Sequence, residues 1–435
     1  MNLSKAARLR TQWIVFAGLI LCSLLLPLPA RADGSEVLDG FIAEAVAHNP
    51  DLKAAEEMVG AAAERPSQQE ALDNPRLGFG LVNLPVDSFS FSKEPMTQKV
   101  LSLAQKLPFP GKLSLRGDIA RTDTEIAEQA LAEKRNVLVM QVKTVYRELL
   151  LTARSIEITE KDRDLIRQFV TTAETRYASG QGIQQDVLKA QVELSKMLDM
   201  VIALKRTKEG LLARFNSLLY RPADARISDF DGREIDLLKA TDLTYGADDL
   251  EKIAADARPV LAVARKRIDR ARLALRLAEK NYYPDMDVTF SYGQRDDGAG
   301  QKRVDFVSGT LMVSLPLWYK SKEDRKVAEE SRVLREAEQE YESMKNEISF
   351  KIQDSVAAAK RYREQMDLIR TGLLPQSKAA LESAIAGYGV NKVDFITLVN
   401  NLMTSYNYEI AYYRALTDYE NTLAALEAAV GRRLF

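Results

Sequence analysis

Met286-Asp287-Val288-Thr289-Phe290-Ser291-Tyr292 alternates apolar and polar residues without a break, the period of a strand with one apolar and one polar face. After the turn-forming run Asp296-Asp297-Gly298-Ala299-Gly300, the apolar residues Leu311, Val313 and Leu315 again fall at alternate positions. The pattern predicts a hairpin between Pro284 and Pro316. Such a hairpin either packs on a soluble core or crosses a membrane. Strand lengths near the ~10 residues of one crossing, and isolation within helical sequence, favour the membrane.

Downstream the period changes. From Lys320 to Tyr388 glycine is sparse and Pro375 is the only proline. Val327, Leu334, Tyr341 and Ile348 recur every seven residues, with Ala337 and Met344 three beyond Leu334 and Tyr341. This is a coiled-coil seam. A counterpart runs from Lys112 to Tyr177 with no proline. About 65 residues at ~1.5 Å each make a rod of roughly 100 Å, longer than any compact domain needs. Shorter return helices are expected over about 184–219 and 392–432.

The two rods belong to an internal repeat. Pro50 recurs as Pro259 and Pro75 as Pro284, each 209 residues on. Leu107-Pro108-Phe109 recurs as Leu315-Pro316-Leu317, offset by 208, and Tyr177 as Tyr388, offset by 211. Each copy therefore reads as an opening helical stretch (about 36–72 and 248–281), a hairpin (about 75–108 and 284–316), a long helix and a return helix. In the first hairpin Leu77, Phe79 and Leu81 alternate, a loop follows around Pro85 and Pro95, and Leu101 and Leu103 carry the partner strand. The chain divides into a signal (1–32), a first repeat (33–225), a linker (226–247) and a second repeat (248–435).

The opening residues have the form of a secretory signal. Lys5, Arg8 and Arg10 precede an apolar run from Trp13 to Leu26, and Ala30-Arg31-Ala32 is a cleavage pattern. Pro27 and Pro29 argue against a membrane anchor. Cys22, the only cysteine, lies in that run behind Ile20 and Leu21, which do not suit lipidation. Cleavage removes Lys5, Arg8, Arg10 and Arg31 and no acid, taking the formal net charge from −1 to −5. Such a chain has no electrostatic case for nucleic acid. Without cysteine, with the single His48 beside a predicted kink and with scattered methionines, it offers no catalytic, cofactor or metal motif. After the signal no stretch reaches the ~20 apolar residues of a membrane helix, so a membrane must be crossed with strands. Trp318 and Tyr319, just past the last strand, suit an interfacial aromatic girdle. Two hairpins supply four strands, whereas closed membrane barrels start at about eight. One copy cannot close a pore, and oligomerisation follows.

The duplication, the hairpin before each long helix and the turn signature together resemble the TolC family of outer-membrane efflux proteins across essentially the whole mature chain. That signature is Tyr177-x-x-Gly180 with Asp186-Val187-Leu188-x-Ala190, and Tyr388-Gly389-Val390-Asn391 with Thr397-Leu398. Leu107-Pro108-Phe109-Pro110-Gly111-Lys112 further resembles the heavy-metal efflux branch. The resemblance implies a mainly α fold with a β-barrel part. Three copies would form a twelve-stranded barrel in the outer membrane of a Gram-negative bacterium above a periplasmic α-barrel. It also implies a homotrimer in outer-membrane lipid, working with a periplasmic adaptor protein and an inner-membrane pump, and needing no cofactor. The matching tip turns are Ser179, Gly180 and Gln181 in the first copy and Val390, Asn391 and Lys392 in the second. These either dock the adaptor or only join helices. Where many relatives carry two gate aspartates this chain has Thr397 and Asn400, which leaves Asp186 and Asp394 as candidate aperture acids or plain surface acids. The resulting expectation is a passive duct in tripartite efflux or type I secretion. The competing class is an exported, non-channel periplasmic scaffold; an enzyme is disfavoured.

Overall fold

The computed structural model describes residues 34–227, 242–298 and 300–435. The signal, its cleavage after Ala32, Cys22, Ala299 and residues 228–241 of the linker lie outside the described residues.

Each opening stretch is broken rather than continuous. The first forms α1 (Gly34–His48), α2 (Pro50–Ala63) and α3 (Arg65–Glu70). Pro50 has no N–H to continue α1, and Asn49 caps α2 by accepting from the amides of Asp51 (2.9 Å) and Leu52 (3.1 Å). In the second copy α6 (Ala247–Ala257) and α7 (Pro259–Lys280) separate at Arg258, which is extended before Pro259. His48 Nδ1 pairs with the Glu44 carbonyl at the end of α1, a structural setting.

The hairpins are β1 (Arg76–Val82) with β2 (Gln98–Leu107), and β3 (Met286–Gln294) with β4 (Phe306–Val313). They join into one antiparallel sheet in the order β1-β2-β3-β4. Leu101 sits between Phe79 and Tyr292, and Leu103 between Leu77 and Phe290. Strand alternation then puts Leu77, Phe79, Leu101, Leu103, Phe290 and Leu311 on one face, and all six are exposed, Phe79 by 74%. The other face carries Ser102, Thr289, Ser291 and Thr310. Among the described residues β1 and β4 are the unpaired edges.

The rods are α4 (Lys112–Ala178) and, in the second copy, α8 (Glu323–Leu368) continued by α9 (Leu374–Gly389). Pro375 does not end the second rod. A π-helical turn, Ile369–Leu373, widens the helix just before the residue that cannot donate to the preceding turn. Along the predicted seam, Val327, Leu334 and Tyr341 are half-buried, while Ile348, Ile352 and Val356 are buried, where α8 packs on α7 and α10 (Phe395–Val430). The return helix of the first copy is α5 (Gln184–Leu218), packed along α4. A core of Phe41, Tyr146 and Phe215, with ring centroids 5.1–6.2 Å apart, ties α1, α4 and α5 together. Buried ion pairs Lys143–Glu427 and Arg147–Glu420 fasten α4 to α10.

The first copy's Phe109-Pro110-Gly111-Lys112 forms the joint between strands and rods. Gly111 takes φ +90°, a left-handed turn that starts α4. Buried Lys112 then donates to Asp285 (2.8 Å) and to the Tyr283 carbonyl (3.0 Å). Asp285 also accepts from the Phe109 amide at 2.9 Å, and Phe109 stacks on Tyr283 at 4.5 Å. One carboxylate thus locks the exit of the first hairpin to the entry of the second.

Candidate functional site

At the end farthest from the sheet the two helix pairs turn back. α4 closes with the amide of Gly180 on the Tyr177 carbonyl (3.0 Å) and that of Gln181 on the Arg176 carbonyl (2.8 Å). α9 closes in the same way, Asn391 on Tyr388 (3.3 Å) and Lys392 on Gly387 (2.9 Å). Both are Schellman turns, with the left-handed residue supplied by Gly180 (φ +74°) and Asn391 (φ +59°). Ser179, Gly180, Gln181, Val390, Asn391 and Lys392 are all exposed around these two turns. A Cβ at Gly387 would meet the Val393 side chain at 2.5 Å, so a larger residue there would force Val393 to move.

The turns are held to one another by a pair that the sequence reading did not single out. Arg176 donates to the Tyr388 carbonyl, and its guanidinium lies 4.6 Å from the centroid of the Tyr388 ring. Tyr388 is 5% exposed and meets Phe395 edge-on at 5.7 Å. Tyr177, its counterpart in the repeat, is exposed. The only hint in sequence is that Arg176 precedes Tyr177 where the second copy has Gly387.

The two candidate acids differ. Asp394 caps α10 by accepting from the Thr397 amide at 2.7 Å, and that bonding holds its carboxyl below the usual range. Asp186 lies half-buried in the first turn of α5. Burial pushes its carboxyl up, Arg176 pulls it down, and the charge of Asp394 pushes it up again. The two carboxylates therefore sense each other within one protomer, in a tip that also holds the Arg176 cation. Thr397 serves Asp394 through its backbone, and Asn400 lies one turn further along α10. Among the described residues no group of three or more His, Cys, Asp or Glu side chains is placed to hold a metal ion. No described helix is long and apolar enough to cross a membrane.

The family described as Outer membrane efflux protein matches residues 41–208. The cobalt-zinc-cadmium resistance protein CzcC of Cupriavidus metallidurans is 21% identical over 418 residues, covering 94% of this chain and 93% of that protein. The outer membrane protein VceC of Vibrio cholerae superposes with a TM-score of 0.76 at 18% identity, covering 91% of this chain and 96% of that one. The open-state MtrE outer membrane channel of Neisseria gonorrhoeae superposes at 0.72 with 16% identity, covering 91% and 89%. The chain has the TolC-like fold of these channels, and the resemblance drawn from its repeat and turn signatures holds at the level of fold.

Proposed function

We infer that this TolC-like chain is the outer-membrane channel subunit of a tripartite efflux or type I secretion system, and a duct rather than an enzyme. The observation that carries this reading is the sheet: an apolar face spanning four strands that is exposed among the described residues, and two edges with no described strand paired to them. In water such a face and such edges are aggregation hazards. In a bilayer the face meets lipid, and each β1 edge pairs with the β4 edge of the next copy. Three copies close twelve strands, and their rods continue as a hollow bundle below. A periplasmic adaptor would dock on the exposed turns at Ser179–Gln181 and Val390–Lys392, and an inner-membrane pump would supply the energy. The likeness to CzcC makes divalent metal cations the first cargo to test, by assaying metal tolerance of a deletion strain.

The test is the mass of the mature protein in mild detergent together with its conductance in planar bilayers. A trimer that conducts is expected. A soluble, non-conducting protein would instead establish the periplasmic scaffold.

A further inference from the structure

Where β4 hands over to α8, a cavity of about 630 Å³ opens at the foot of the sheet, lined among others by Leu315, Lys322, Glu323 and Arg325. Most of its charges are already matched. Lys112 is held by Asp285, and Lys326 bridges Glu329 (2.9 Å) and Glu330 (2.8 Å). Two are not: one oxygen of Glu323, and Arg325. Glu323 is 7% exposed, its Oε2 is buried with no hydrogen-bond partner, and Oε1 has only Lys322 at 3.8 Å. A carboxylate oxygen taken from water without a donor is an uncompensated group that calls for a cationic or N–H partner. Exposed Lys322 directly precedes Glu323 and exposed Arg325 lies two residues beyond it, and Arg325 has no ion pair among the described residues. Leu315, Leu317 and Trp318 leave an exposed apolar rim beside them.

We propose that this cavity binds the headgroup of a phospholipid carrying a primary ammonium group, the chemistry of phosphatidylethanolamine. The ammonium donates to Glu323 Oε2, the phosphate accepts from Arg325 and Lys322, and the acyl chains run along Leu317 and Trp318 toward the sheet. An acid with an unmatched oxygen beside the unpaired Arg325 matches a zwitterion better than either charge alone, and the place of the cavity at the strand–helix boundary matches the depth of a headgroup. The proposal rests on the outer-membrane reading above.

The experiment reconstitutes the oligomer in vesicles of equal phosphatidylethanolamine, phosphatidylcholine and phosphatidylglycerol, re-extracts it in mild detergent and counts retained lipids by mass spectrometry. Phosphatidylethanolamine should exceed phosphatidylcholine roughly tenfold, because a quaternary ammonium cannot donate a hydrogen bond to Glu323. Glu323→Gln should remove that preference, and Arg325→Ala should lower retention of all three lipids. Equal retention by the unmodified protein overturns the proposal, as does full preference in Glu323→Gln. Conductance is read in the same vesicles: a conducting trimer without lipid preference sinks only the lipid site, whereas absence of conductance sinks the channel reading and this proposal with it.

Discussion

The Arg176 guanidinium covers the ring of Tyr388 and donates to its backbone carbonyl, so the foot of the first rod is fastened to the foot of the second within one protomer. A cation over a partly desolvated ring is worth ~0.5–2 kcal/mol and a charged hydrogen bond ~1.5–3 kcal/mol. Arg176→Ala should therefore loosen the tip by about 2–3 kcal/mol. Single-channel recording should show larger or more frequent openings with the oligomer intact, and Arg176→Lys should fall between. Unchanged gating in the alanine variant would show that the pair only stiffens the turn.

A second prediction concerns pH. Asp162 on α4 has its carboxyl pushed up to about 6, first by burial and then by Glu409 across on α10, with Lys161 and Lys378 opposing. Lys378 of α9 lies 3.5 Å from Glu409. The unfolded value is ~3.9, so the folded state holds this proton more tightly. Stability should rise as pH falls from about 6 towards 4, and the cost of the ionised form should be constant above 6. In a dry site that cost would be ~3 kcal/mol; because Asp162 is only half-buried and so partly screened by water, about 1–2 kcal/mol is expected. Asp162→Asn should raise the neutral-pH melting point and flatten the limb between pH 4 and 6. A variant that melts with the parent's pH profile would exclude Asp162 as its source.

The joint between strands and rods should be sensitive to one carboxylate. Asp285→Asn leaves the Lys112 ammonium buried without its counter-charge, which costs about 3–5 kcal/mol. Lys112→Met, which removes the charge instead, should cost less. The yield of detergent-resistant oligomer for the two variants should rank in that order, and the reverse order would mean that Lys112 carries the joint through its hydrogen bond to Tyr283 alone.

Much of the fold was legible because local period and turn chemistry dominate it. The alternation in Met286–Tyr292, the seven-residue repeat through Ile348, and Gly180 and Asn391 as left-handed turn residues each act within a few neighbours. The break at Asn49 is the kink expected beside His48, whereas the one at Arg258 turns on pre-proline geometry, which the apolar pattern hides. The sequence reading runs the rod straight through Pro375, and it does continue, but the π-helical turn that absorbs the proline has no signature in the sequence. Contacts between the copies were not legible. Arg176 with Tyr388 and Lys112 with Asp285 lie 212 and 173 residues apart, and no local signal joins them.

The last prediction concerns the aperture. Asp394 is held ionised by its bonding to Thr397, and Asp186 has a raised affinity for protons partly because Asp394 is charged. If the trimer brings these acids to its axis, multivalent cations should bind there and block the pore. Asparagine can still accept from the Thr397 amide, so Asp394→Asn removes charge while keeping most of the cap, whereas Asp394→Ala would also lose about 1 kcal/mol of helix stability. Block by multivalent cations at neutral pH should weaken in Asp394→Asn, and weaken again in Asp186→Asn. Their pH dependence should differ as well. In the unmodified channel Asp186 protonates first as pH falls while Asp394 stays charged, so block should start to weaken at a higher pH than in Asp394→Asn, where the repulsion on Asp186 is gone, yet persist in part to lower pH on Asp394. Single-channel recording across pH with added multivalent cation measures both effects. If neither variant alters block at any pH, the tip selects by size, and Asp394 is a helix cap and nothing more.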